Sequence, residues 1–174
     1  MLQCEKTEIW ARPVSPYASN GVGMLFLPEV DDEVVLQFIN EDPCHPVIIG
    51  SLYSRKRKTP VSLDPKNNLK TIVTKNQLKI TLDDDKKIIT IGTPGENTLI
   101  LDDDKKQILL SDANKNKVCM DKNGIMVESG KDLIFKARGN VKTEGMGIES
   151  KSKQDTKING LNIEVSAQMG VKVK

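Results

Sequence analysis

The chain has 174 residues and a formal net charge of +2. That length suits one domain or two small ones, and so small a charge excludes a polyanion-binding arm or an acidic tail as the character of the whole. No apolar run approaches the roughly 20 residues of a membrane-spanning helix, and Met1 to Trp10 has neither the basic start nor the apolar core of a secretory signal.

Charge and aromatic residues are unevenly placed. From Met1 to Tyr53 the basic residues are Lys6 and Arg12, against Glu5, Glu8, Glu29, Asp31, Asp32, Glu33, Glu41 and Asp42, so this part carries −6 and the remainder +8. Trp10, Tyr17, Phe26, Phe38 and Tyr53 also lie in the first part, and Phe135 is the one aromatic beyond it. A domain with a single aromatic has a thin core on its own, so the second part is expected to bury its apolar surface against other copies of itself. Cys4, Cys44 and Cys119 make no CxxC pair, and their odd number argues against a disulfide framework.

Helical periodicity is nearly absent, and strand signals begin early. Val22 to Leu27 is opened by Asn20-Gly21 and stopped by Pro28. Val34 to Ile39 and Val47 to Tyr53 are short, β-branched or aromatic, and bounded by turn formers. Together they predict a small barrel or sandwich. His45, the only histidine, follows Cys44, but adjacent residues of an extended segment point to opposite faces. A turn held by Pro43 and Pro46 is the expectation, not a catalytic pair or a zinc site.

Ser54 to Asn68 contains Pro60, Pro65 and the run Arg55-Lys56-Arg57-Lys58, and reads as a solvated linker. No aromatic interleaves with the run to stack bases. Beyond it the chain repeats at an offset of 19 residues. Thr81-Leu82-Asp83-Asp84-Asp85-Lys86-Lys87 returns as Ile100-Leu101-Asp102-Asp103-Asp104-Lys105-Lys106, and again in weaker form as Cys119-Met120-Asp121-Lys122-Asn123-Gly124. In each copy an apolar strand enters an Asp-rich turn and another apolar strand follows, which predicts successive strand–turn–strand units. The Asp triplets lack the glycine, the distal Glu and the flanking helices of a calcium loop, so turns are expected there. No cofactor and no metal are expected, and no nucleotide-binding or hydrolase motif is present.

From about Gly130 the pattern becomes plain alternation. Leu161, Ile163, Val165, Ala167, Met169, Val171 and Val173 are apolar, and every residue between them is polar or glycine. Period two means one buried and one wet face. At ~3.3 Å per residue a straight run would reach ~45 Å, so a bend near Ser166 or Gly170 is expected. Alternation with brief turns suits a β-helix or β-prism. Three copies wound together would close the edges that one copy leaves open, and these seven apolar residues are the candidate trimer core.

The first part also carries a resemblance. Tyr17-Ala18-Ser19-Asn20-Gly21-Val22-Gly23, then Leu27-Pro28-Glu29-Val30-Asp31-Asp32-Glu33-Val34, then Phe38, Glu41-Asp42-Pro43 and Pro46 to Tyr53 resemble, in order and spacing, blocks of the VgrG spike proteins. The baseplate spikes of contractile phages share them. The resemblance implies an all-β fold: an OB-fold barrel over 1–54, without its first strand, a linker over 55–68, and an intertwined triple-stranded β-helix or β-prism shaft over 69–174. It implies a homotrimeric, non-enzymatic spike of a type VI secretion system or a related machine. Such a spike sits on an Hcp-like tube protein at its barrel end and carries a PAAR-like tip protein or effector at its C-terminal end. It is assembled in the bacterial cytoplasm and then ejected through a target membrane. Relative to the family the chain lacks the long region before the barrel, an obvious tip and a His-x-His tip motif. The rival readings are an OB-fold module for oligonucleotides or oligosaccharides and a spike-fused muramidase. The acidic first part opposes nucleic-acid binding, and no segment has the helical character of a lysozyme.

Overall fold

The structure is a computed structural model and describes residues 8–170. The chain is all-β. Among the described residues its only helical element is a single turn, Ile39–Glu41, in which Asn40 has φ 54°. The chain divides into two units, residues 1–132 and residues 133–174.

In the first unit, β1 (Arg12–Pro13), β5 (Pro46–Leu52) and β4 (Glu33–Phe38) form a three-stranded sheet in that order. β1 runs parallel to β5, and β4 runs antiparallel to it with a bulge between Val35 and Leu36. These strands lie where the β-branched runs predicted them. Among the described residues the sheet is open, with β1 and β4 as its edges. The expected strand Val22 to Leu27 is shorter than its composition suggests. β2 (Ala18–Ser19) and β3 (Val22–Gly23) make a minimal hairpin around Asn20-Gly21, and extended pairing stops at Gly23. Gly23 has φ 147°, and a Cβ there would stand 2.5 Å from the Tyr17 carbonyl oxygen. The loop is closed by Met24 N–H donating to that same carbonyl at 2.9 Å and by the Ser15 hydroxyl donating to the Met24 carbonyl at 2.6 Å.

The turn between β4 and β5 holds Cys44 and His45 as expected. The Asp42 carboxylate accepts the Cys44 N–H at 2.8 Å and lies 3.0 Å from the His45 Nδ1. Those two contacts, the Cys44 N–H first, hold the Asp42 carboxyl below its ordinary value. Within the basic run Arg55, Lys56 and Lys58 are exposed and Arg57 is partly buried. Ser54 N–H donates to the Arg57 carbonyl at 2.8 Å, and the Arg57 guanidinium reaches Asp32 at 3.1 Å. Lys75, in the first turn of the next sheet, pairs with Glu29 at 3.2 Å.

That next sheet is a seven-stranded antiparallel meander of β6 (Leu69–Val73), β7 (Lys79–Asp83), β8 (Ile88–Gly92), β9 (Thr98–Asp102), β10 (Gln107–Ser111), β11 (Lys117–Asp121) and β12 (Gly124–Glu128). Each strand pairs with its neighbours in sequence. The 19-residue repeat is therefore two strands and two turns. At one end of the strands, the first Asp of each repeat caps its own turn. Asp83 accepts the Lys86 N–H at 3.0 Å, Asp102 the Lys105 N–H at 2.9 Å and Asp121 the Asn123 N–H at 2.7 Å. At the other end, Thr74, Thr93 and Asp112 donate their N–H to the carbonyls of Leu78, Asn97 and Asn116 at 3.0, 3.0 and 3.1 Å. Gln77, Glu96 and Lys115 are left-handed there, with φ 62°, 63° and 68°. The Asp triplets are turn chemistry, as expected.

Positions one repeat apart thus have the same strand, face and turn role. Deleting residues 84–102 joins Asp83 to Asp103 and restores an Asp-Asp-Asp-Lys-Lys turn with Leu82 taking the place of Leu101. The shortened chain is expected to keep its β-sheet circular dichroism and a single cooperative melt, at lower temperature. Loss of the cooperative transition would contradict the modular reading.

Candidate assembly surface

The register of the meander sorts its side chains onto two unlike faces. On one face, Ile72, Ile80, Ile91, Leu99, Leu110, Val118 and Val127 stand opposite one another in a ladder that crosses all seven strands. Beside it runs a second ladder, Leu82, Ile89, Leu101, Ile108, Met120 and Ile125, which begins at Lys70 on β6. Only Lys70 breaks the apolar character of the two ladders. The opposite face carries Thr71, Thr81 and Thr90, followed by Ile100, Leu109, Cys119 and Met126. Its neighbours include Thr98 hydrogen-bonded to Ser111 at 2.7 Å, Gln107 donating to Cys119 Sγ at 3.2 Å and Lys117 paired with Glu128 at 2.7 Å. That pairing raises the Lys117 ammonium above its ordinary pKa.

Among the described residues of its own unit, no second layer covers the apolar ladders. Leu101 is 37% exposed, Leu110 54% and Ile125 72%. Among the described residues no large side chain is fully buried. Burying a Val, Leu or Ile completely is worth ~1.5–3 kcal/mol, so two half-exposed ladders leave on the order of ten kcal/mol or more per chain unrealised. A contiguous apolar surface of this kind marks an interaction site. Among the described residues no cluster of His, Cys, Asp or Glu is placed to hold a metal ion.

The second unit is built differently. No strand pairing is found among its described residues, and the chain bends at 138–139, 145–146, 153–154, 161 and 168–169. The last bend lies between the two positions expected from sequence. Leu161, Ile163, Val165, Ala167 and Met169 are all exposed on the single chain, Leu161 and Met169 completely. Val171 and Val173 lie outside the described residues, as does Cys4.

The exit from the meander is fastened. The Asp112 carboxylate accepts the backbone N–H groups of Asn114 and Asn116, both at 2.9 Å, and the Asn116 side-chain amide at 2.9 Å. Asn116 in turn accepts the Ser129 hydroxyl at 2.9 Å and the Gly130 N–H at 3.0 Å. At Gly130 a Cβ would meet the Asn114 carbonyl oxygen at 2.5 Å, so only glycine lets the chain pass the turn this closely.

Residues 1–53 match the family described as the type VI secretion system/phage-baseplate injector OB domain, and residues 87–149 match the phage baseplate V C-terminal trimerisation domain. The chain belongs to the VgrG/baseplate spike family. It is similar to the type VI secretion system spike protein VgrG3 of Vibrio cholerae, 33% identical over 69 residues that make up 40% of this chain and 7% of that protein. It is also similar to VgrG4b of Pseudomonas aeruginosa, 32% identical over 68 residues, 39% of this chain and 8% of that protein. A third relative is the actin cross-linking toxin VgrG1 of Vibrio cholerae, 30% identical over 69 residues, 40% of this chain and 6% of that protein. The chain thus matches less than a tenth of the length of these relatives.

The two matches fall on different parts of the chain, and the trimerisation match runs past the meander into the second unit, to residue 149. β1 to β5 lie inside the OB-domain match, and β8 to β12 lie inside the trimerisation match. The meander therefore carries an exposed apolar surface in addition to the alternating tail residues expected from sequence. The signal was present, because each five-residue strand alternates, but the shared face depends on the register of six successive hairpins.

The fastening turn has a pH signature. Donors from Asn116, side chain first, hold the Asp112 carboxyl below its ordinary value. A depressed carboxyl stabilises the fold above its unfolded pKa of about 3.9, and that stability is lost as pH falls through the lower folded value. Asp112→Asn is expected to lower the melting temperature at pH 7 and to narrow the difference between melts at pH 7 and pH 3. An unchanged difference would contradict the assignment.

Proposed function

We propose that this chain is the structural subunit of a homotrimeric spike in a type VI secretion system or a related contractile, phage-like injection machine. The observation that carries the reading is the uncovered pair of apolar ladders, lying largely within the match to a trimerisation domain. Water opposes such a face, and a closed three-fold assembly covers it with copies of itself. The comparisons favour this reading over an OB-fold module for oligonucleotides or oligosaccharides.

In this proposal residues 1–54 are the barrel, 55–68 the linker and 69–174 the shaft. Leu161, Ile163, Val165, Ala167, Met169, Val171 and Val173 line the shaft's interior, and Glu164, Lys172 and Lys174 stay in water. The barrel end docks on an Hcp-like tube protein, and the C-terminal end carries a PAAR-like tip protein or effector. The chain acts mechanically and not as an enzyme. It is assembled in the cytoplasm and ejected through a target membrane.

Light scattering at micromolar concentration is expected to give three times the 19.3 kDa chain mass, unaffected by added single-stranded DNA at physiological salt. A monomer that binds DNA with a steep salt dependence would replace the spike with the OB-module reading.

A further inference from the structure

We infer that the apolar face of the meander, and not the alternating tail, holds the three copies together, and that the tail orders only after the meander has brought them into register. The inference rests on the trimeric reading above and assigns the work within it.

The two regions differ in where their backbone partners come from. Every strand from β6 to β12 is paired inside one chain. The face carrying Ile89, Leu101 and Ile108 is therefore complete in a single copy and can meet another copy without further ordering. Such pre-organisation favours association because little freedom is lost in the encounter. Residues 133–170 have no pairing of this kind among the described residues. Their backbone donors and acceptors must find partners on other copies or stay in water. Ordering them requires three chains to lose conformational freedom together, which makes the tail a poor nucleus.

Once three meanders are joined, the tails are tethered side by side and their pairing becomes effectively intramolecular. The fastening by Asp112, Asn116, Ser129 and Gly130 fixes where each tail departs, so the three tails begin at the same level. The bends recur every seven or eight residues, so a common starting level sets the alignment of each later segment. The second copy is the occupant of this face because most of the face, from β8 to β12, lies in the part that matches a trimerisation domain and no other layer of its own unit covers it among the described residues.

The test uses the full chain with Leu101→Asp, Ile163→Asp and the opposite-face control Thr90→Asp, read by light scattering and by residue-resolved hydrogen exchange. Leu101→Asp is expected to reduce the mass about threefold and to abolish amide protection over 133–170, while cross-strand amides of β6 to β12 remain protected. Ile163→Asp is expected to stay trimeric, with the meander protected and protection lost only in the tail. Thr90→Asp is expected to behave as the parent. Dissociation of Ile163→Asp to monomers overturns the inference, and so does a protected tail in monomeric Leu101→Asp. If Leu101→Asp fails to fold, the Ile163→Asp arm decides by itself. A monomeric parent would instead sink the spike reading, a distinct outcome.

Discussion

The structure depends on an apolar sheet face that no other layer of its own unit covers among the described residues. A seven-stranded meander needs a second layer to be stable in water, yet among the described residues nothing large is fully buried. In the proposed trimer, much of the stabilisation that a globular domain finds inside itself comes from other copies. This explains the composition. With one aromatic residue beyond Tyr53, the second part relies on Ile, Leu and Val, which fit a pleated surface and repeat at fixed positions. A ladder of similar side chains suits an interface that must match itself under rotation.

The turns are the complement of that face. They recur at the repeat interval with similar hydrogen bonds, the cap reaching the N–H three residues on at Asp83 and Asp102 and two residues on at Asp121, and they keep the strands in one register. A slip of one residue would move every Ile and Leu to the wrong side. Asp83, Asp102 and Asp121 guard against this by capping the turn each one opens. Lys87 and Lys106 accept left-handed conformations, with φ 53° and 51°, which cost a non-glycine residue about 1 kcal/mol or more. Glycine would relieve that strain but would loosen the turn in the unfolded chain.

Much of this was legible in the sequence, and the reasons for the rest are physical. The repeated Asp triplets, the β4 and β5 strands and the Cys44–His45 turn follow from local chemistry, which a sequence displays directly. Val22 to Leu27 misled because β propensity says nothing of Gly23, whose conformation is set by contact with Tyr17. The Arg57–Asp32 pair is not visible in the sequence because the two residues lie far apart in it. The meander face is harder to see than the tail because fourteen alternating residues in one stretch stand out more than a pattern divided among seven short strands.

The family assignment turns this geometry into a mechanical account. In the proposed spike, a shaft whose layers are tied by backbone pairing and closed around a dry interior would resist bending under compressive load better than a bundle of independent domains. The central claim is that the Ile/Leu face is interior. Hydroxyl-radical footprinting of the intact protein tests it most directly. Ile89, Leu101 and Ile108 are 38%, 37% and 41% exposed on the single chain, and the account predicts that they are oxidised as slowly as a buried side chain. Oxidation of these three at the rate set by their single-chain exposure would contradict it.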